Sequence, residues 1–427
     1  MSTSDFARLP GFRDFPPEEF ALRRHIQDAW RDVALRYGFA EYDGPVLEPL
    51  DLYVEKSGEE IVGQLFNFTD KGDRAVTMRP EMTPSLARIL GERSRGMSKP
   101  IRWFTMPQLY RYERMQRGRL REHFQWNVDI VGEAGVSADA EVLAVAIDGL
   151  RQLGLTEADF VARVSDRRLL TQILLVIGVT DERMASAFAI IDKIERLPEE
   201  KADERLASEA GLDAVQISTL RGLLGSTGVG ALAEGFGGHP DVAPELERLQ
   251  EYVAALEAMG LGAFVEVDLS IVRGLAYYTG IVFELFDRKG ELRAICGGGR
   301  YDRLLELVGG EPLPAVGFGM GDVVLEELLR ERGLVPTYEP SVDYFIVSVT
   351  EEERSVALGI AHALRDRGLR VAYSLKTQNV GKQMKAASRA GAATVLVIGP
   401  DEVARGFAVS RDMASGEERD VPLSELG

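Results

Sequence analysis

The sequence predicts an α+β protein with three parts: a domain built on antiparallel strands, a helical insertion within it, and a small α/β domain after it. Three observations carry this. Segments 66–79 and 101–131 each read as strand, polar turn or loop, strand, the pattern of antiparallel pairing. Residues 167–260 change texture to apolar residues at helical spacing, with the acidic tract LPEEKADERLASEAG and a glycine-rich break, EGFGGHP. After two prolines in 334–342, strands and helices alternate over short distances, as in a largely parallel sheet. The boundaries so read are 1–335 with the insertion at 167–260, and 341–427.

In chain order, Phe20, Ile26, Trp30, Val33 and Leu35 mark a helix over 18–37, and Gly38 is its stop signal. An extended stretch containing Pro45 follows. The hairpin of 66–79 turns at Asp70–Asp73, and 83–95 is helical. Residues 138–152 predict an amphipathic helix. Strand texture returns after the insertion in AFVEVDLSIV, IVFELFD and LRAICGGGRYD, and 315–333 gives one more strand-to-helix passage. In the last domain DYFIVSVT, LRVAYS and ATVLVIG are strands, separated by helices in EERSVALGIAHALRDRG and NVGKQMKAASRAG.

The 427 residues carry a formal net charge of −18, which argues against general coating of nucleic acid and leaves room for a local cationic site. A single cysteine, Cys296, excludes an internal disulfide framework and reads as a small buried residue. With four scattered histidines, no structural zinc or other protein-held metal is expected. The N-terminal stretch shows no basic-then-apolar leader pattern, and no apolar run approaches the roughly 20 residues of a membrane span. A cytoplasmic enzyme without membrane contact is the expectation.

Against that acidic background, segment 102–121 holds six arginines and one carboxylate, Glu113. Guanidinium forks suit phosphate oxygens, and a loop between antiparallel strands can fold them over a polyphosphate. A solvated loop face would have the same composition. Four further motifs decide the matter. RYERMQRGRLREHFQ resembles motif 2 of class II aminoacyl-tRNA synthetases. SIVRGLAYYTGIVFELF resembles a signature of the histidyl-tRNA synthetases, as do TMRPEMTPSLAR, AICGGGRYDRLL and the motif 3 region AVGFGMGD. The order and spacing agree over nearly the whole chain.

The resemblance implies activation of L-histidine by ATP with Mg2+, then transfer of the histidyl group to tRNA, in a homodimer formed through the motif 1 region that Pro45 marks. It implies that Arg111 and Arg273 are catalytic, Arg111 as the arginine that holds the α-phosphate and Arg273 as a second catalytic arginine, and that both also contact the histidine substrate. Glu113, Arg121 and His123 would contact ATP. His123 stands where the family usually has a phenylalanine; an imidazole can stack on a purine, and a neutral strand histidine can equally be a packing residue. Glu81, Met82 and Thr83 belong to the segment that receives the substrate ammonium. Gln125 and Asp129 alternate on one strand and so share a face; the family has glutamate at the position of Asp129. Tyr277 and Tyr278 are adjacent, so on a strand they face opposite ways, with Tyr278 the one in contact with histidine. In 376–389 four cations stand without an acid, and Lys382, Lys385 and Arg389 fall on one helical face. This stretch resembles the family's anticodon-binding domain, so these three are expected to touch tRNA.

The match departs from the pattern in three places. Val324 stands where motif 3 carries an ATP-contacting arginine, Ala276 replaces an aspartate, and Met82 replaces a glycine. Two rival readings follow: a non-catalytic regulatory subunit of ATP phosphoribosyltransferase, which shares the catalytic fold, and a histidine-activating ligase that modifies something other than tRNA.

Overall fold

The computed structural model describes residues 6–57, 59–225, 228–273, 278–307 and 309–426. The chain divides into two compact units, Met1–Pro336 and Thr337–Gly427. No described helix is long and apolar enough to cross a membrane.

The first unit is organised by a nine-stranded sheet among the described residues. Its order runs Ala40–Glu41, Ile101–Thr105, Glu122–Val131, Ala315–Gly321, Cys296–Arg300, Ile281–Asp287, Phe160–Asp166, Val265–Val267, with Gln108–Tyr110 paired beside the third. The outermost pairs are parallel and the central ones antiparallel. A separate three-stranded sheet holds the 67–69 and 75–78 hairpin. Its turn is fixed by Asp70 Oδ1, which accepts from the amides of Gly72 at 2.7 Å and Arg74 at 3.0 Å.

The first helix, Pro17–Arg36, buries Ile26, Trp30 and Val33 on the sheet side. It ends where Gly38 takes φ +75°, a conformation that glycine reaches without a Cβ clash. The helix Val136–Gln152 differs from expectation. It is buried on nearly every side rather than amphipathic, because it lies among the sheet, the first helix and the helix Ala243–Ala258. Gly149 lets the Trp126 ring approach: a Cβ there would sit 2.4 Å from the indole. Trp126 in turn stacks on Trp30 with ring centroids 5.8 Å apart.

The segment 263–272 also differs from its reading as one strand. Only Val265–Val267 pairs. Asp268 Oδ1 then accepts from the Ser270 amide at 2.9 Å and hydroxyl at 2.6 Å, which turns the chain away. Residues 167–258 hold six α-helices among the described residues, from Arg167–Ile177 to Ala243–Ala258.

In the second unit, Val371–Tyr373, Val342–Ser348 and Ala392–Ile398 are parallel neighbours. Two antiparallel strands unread in the sequence, Phe407–Asp412 and Glu418–Pro422, extend that sheet. The helix Val380–Arg389 starts at Asn379, whose side chain accepts from the Lys382 amide.

Candidate active site

The long strand Glu122–Val131 supplies the first wall. Gln125, Asn127 and Asp129 alternate, so all three side chains reach the same face and line one small cavity. Across the ladder stand glycines: Gln125 faces Gly321, Asn127 faces Gly319 and Asp129 faces Gly317. The next strand adds Gly297 opposite Gly319 and Gly299 opposite Gly317. This glycine floor makes room for the polar groups. A Cβ on Gly297 would fall 1.3 Å from Arg273 Nη1, and one on Gly317 would fall 2.2 Å from Asp129 Oδ1.

Arg273 reaches the floor from a strained backbone, with φ +47°. Arg167 Nη1 holds that turn by donating to the carbonyls of Val272 at 2.7 Å and Arg273 at 3.2 Å. The Arg273 guanidinium lies 3.4 Å from Glu284 Oε1 and 5.5 Å above the Tyr278 ring. Burial pushes the Glu284 carboxyl above its usual range, and Arg273 opposes that shift. Arg111 follows the strand Gln108–Tyr110, its Nε donating to the Pro80 carbonyl at 3.0 Å. The loop that presents Glu81 is tied down by buried Arg79, which donates to Asp43, to the Gly44 carbonyl and to the Gln108 carbonyl.

Two cavities result. One of about 90 Å³ is lined by Glu81, Thr83, Arg111, Gln125, Asn127, Asp129, Arg273, Tyr278 and Tyr301 with the floor glycines. Tyr301 donates its hydroxyl to Asp129. The second, about 260 Å³, is lined by Arg111, Glu113, Arg119, His123, Gln125, Arg273 and Arg293, among others. Arg111 and Arg273 line both cavities, together with Gln125 and the floor. Burial and the nearby cations Arg111, Arg13 and Arg119 push His123 down to about 3, so its imidazole is neutral at physiological pH. Burial pushes the Cys296 thiol up and keeps it protonated.

Most of the expected residues thus converge, and two do not. Met82 is fully buried, with its sulfur against Arg79 and its methyl near Gly44, and does not line the small cavity. Arg121 lies with its guanidinium 4.2 Å from the Tyr112 ring and does not line the larger cavity; its neighbour Arg119, paired with Glu113, does. Tyr277, like Ala276, lies outside the described residues. Arg117 is taken up by Glu327 and Glu331 of the helix Asp322–Glu331, at 2.9 and 2.7 Å. Lining residues not assigned to the site from the sequence include Asn127, Tyr301, Arg119, Glu284 and Arg293. Asn127 was legible as the middle member of the 125/129 alternation. Tyr301 stands two residues past the glycine run. In the second unit, Lys382, Lys385 and Arg389 are exposed on Val380–Arg389, while Gln383 and Ala387 face inward.

An amino-acid-sized polar pocket that opens past two arginines into a larger cationic one, on an antiparallel sheet, is the arrangement of a class II aminoacyl-tRNA synthetase. Comparisons narrow the class. The family model for histidyl-tRNA synthetase matches residues 11–322, and that for an anticodon binding domain matches 343–427. The histidine–tRNA ligase of Opitutus terrae is 45% identical, with 99% of this chain and 97% of that protein covered. The chloroplastic/mitochondrial histidine–tRNA ligase of Arabidopsis thaliana is 41% identical, with 97% and 85% covered. Among solved structures, a histidyl-tRNA synthetase from Nostoc matches with a TM-score of 0.81 at 25% identity, covering 99% of this chain and 98% of that one. The chain belongs to the histidyl-tRNA synthetase family.

Proposed function

We infer that this chain is a histidine–tRNA ligase: it activates L-histidine with ATP to histidyl-adenylate and transfers the histidyl group to tRNA. The observation that carries the site assignment is the sharing of Arg111 and Arg273 between the small and the larger cavity. In this reading histidine fills the small cavity. Glu81 receives its ammonium group, and Gln125, Asp129, Tyr278 and Tyr301 fix its imidazole. ATP, entering with Mg2+ as a substrate complex, fills the larger cavity, with Glu113 and neutral His123 beside the nucleotide.

The two substrates then meet at the arginines. A histidine carboxylate oxygen attacks the α-phosphorus, the bond from that phosphorus to the bridging oxygen breaks, and pyrophosphate departs with the electron pair. Charge grows on the α-phosphoryl oxygens. Arg111 and Arg273 face it without having to reorganise, which lowers the barrier. In the second step a ribose hydroxyl at the tRNA 3′ end attacks the acyl carbon and AMP leaves. Lys382, Lys385 and Arg389 would meet tRNA phosphates elsewhere along the molecule.

The regulatory-subunit reading has less support. One solved structure whose name joins an ATP phosphoribosyltransferase regulatory subunit with histidyl-tRNA synthetase, from Bacillus halodurans, shares the fold at 24% identity and a TM-score of 0.76. The 40–45% identical relatives are named ligases over nearly their full length. We also assign the chain to the cytoplasm and to a homodimer. Exposed Leu47 and Phe68 on the three-stranded sheet supply apolar surface for the latter.

The test is histidine-dependent exchange of pyrophosphate into ATP. Wild type should exchange, and Arg273→Ala should fall by roughly a hundredfold or more, the cost of removing one preorganised cation from the transition state. Absence of exchange in folded wild type would refute the ligase reading.

A further inference from the structure

The larger cavity contains a cation that neither the motifs nor the mechanism above employs. Arg293 stands just before the strand Cys296–Arg300. It lines the 260 Å³ cavity and also an adjoining polar cleft of about 1130 Å³, but not the small cavity. Its neighbours are engaged with carboxylates: Arg117 with Glu327 and Glu331, Arg119 with Glu113, Arg273 with Glu284. Arg293 instead donates to a neutral acceptor, Gln116 Oε1, at 3.3 Å, and has no ion pair among the described residues. Arg293 is exposed; partial desolvation and the charges of Arg119 and Arg196 weaken its hold on the proton while Glu113 opposes them, and a guanidinium without an ion pair is open to an arriving anion.

Its position matters as much as its charge. Gly118, in the arginine-rich loop, has φ +71°. A Cβ there would lie 3.1 Å from Val324 Cγ2 and 3.7 Å from Arg293 Cδ. The two side chains therefore flank the same point of the loop, and Arg293 projects into the space beside a valine that leaves a cation missing. We propose that Arg293 is the residue that holds the distal phosphates of ATP, taking over at Val324 the place of the expected arginine. This rests on the assignment of the larger cavity to ATP. Because Arg111 and Arg273 occupy the end shared with the small cavity, a triphosphate whose α-phosphate lies between them runs its β and γ groups toward the cleft side, where Arg293 stands. A cation there also stabilises pyrophosphate as it leaves.

The test compares ATP·Mg2+ and AMP in direct titration of the full chain: wild type, Arg293→Ala, Arg293→Lys, and Arg293→Ala combined with Val324→Arg. Circular dichroism melts establish that each variant is folded. Arg293→Ala should lose ATP affinity by roughly ten- to a hundredfold, the range for one hydrogen bond to a charged group, with AMP affinity unchanged. Lysine should recover part of the loss, and Val324→Arg should recover most of it. Equal losses of ATP and AMP would overturn the proposal and assign Arg293 to the nucleoside. No loss of either would leave it a solvated loop residue. Both results are independent of histidine-dependent exchange in wild type, so failure of the ligase reading and failure of this proposal are read separately.

Discussion

At Gly297 a hydrogen is all the space allows, because a methyl group would land 1.3 Å from Arg273 Nη1. Gly297→Ala should therefore cut pyrophosphate exchange by roughly a hundredfold, as loss of the arginine itself does, while the melting temperature registers a smaller change. The substitution would displace the cation proposed to act in catalysis without touching its charge. His123 supports a prediction of a different kind. Its folded-state value is depressed to about 3, so between there and the ordinary imidazole value the unfolded chain binds a proton that the native chain does not. The contribution of His123 to stability must then fall as pH drops below about 6.5, by up to about 1.4 kcal/mol per pH unit, while buried Asp322, raised to about 7, acts in the opposite sense in both wild type and variant. His123→Phe should flatten the slope of denaturant-derived stability between pH 6.5 and 5, and an unchanged slope would contradict the neutral, buried imidazole.

Between elements, one tie to the central helix is ionic. Arg300, on the floor strand, clasps Asp139 of Val136–Gln152 through Nε and Nη2, and both side chains are almost wholly buried. Asp139→Ala removes the buried partner, leaves Arg300 only the less buried Asp302 at 3.2 Å, and should destabilise the first unit by about 3 kcal/mol in urea unfolding. The sequence made the helix legible and its environment not. Period 3.6 announced 138–152, but burial on nearly every side depends on Ala243–Ala258, which is remote in sequence. The arginine loop shows the same limit. Its charge was plain, yet which arginine faces the cavity is decided elsewhere. Glu327 and Glu331 draw off Arg117, Tyr112 draws off Arg121, and Arg119 is left facing inward. Alternation along a single strand, by contrast, is local, and it correctly grouped Gln125 with Asp129. Arg293 carried no local signal at all: a lone cation in a turn acquires meaning only from Val324 and Gly118 beside it.

For the whole molecule, two compact units imply separable tasks. A chain ending at Pro336 should keep histidine-dependent exchange and lose most tRNA charging, measured with radiolabelled histidine; loss of exchange would show that activation needs both units. The division at the prolines was legible because composition and periodicity change there together. The last two strands, 407–412 and 418–422, were not read, since Glu418–Pro422 is short and largely exposed and lacks an apolar run. The glycine floor has a further consequence, in terms of how such a sequence can drift. Any exchange at Gly297 or Gly317 brings a Cβ into a charged side chain, so no replacement there is conservative. The facing strand is confined differently: Gln125 and Asp129 lie over those glycines and line the cavity, so a change of length there alters the space left in it rather than meeting a glycine's hydrogen. Diversification of this pocket is thus channelled onto the strand that carries Gln125, Asn127 and Asp129, whose side chains face the cavity.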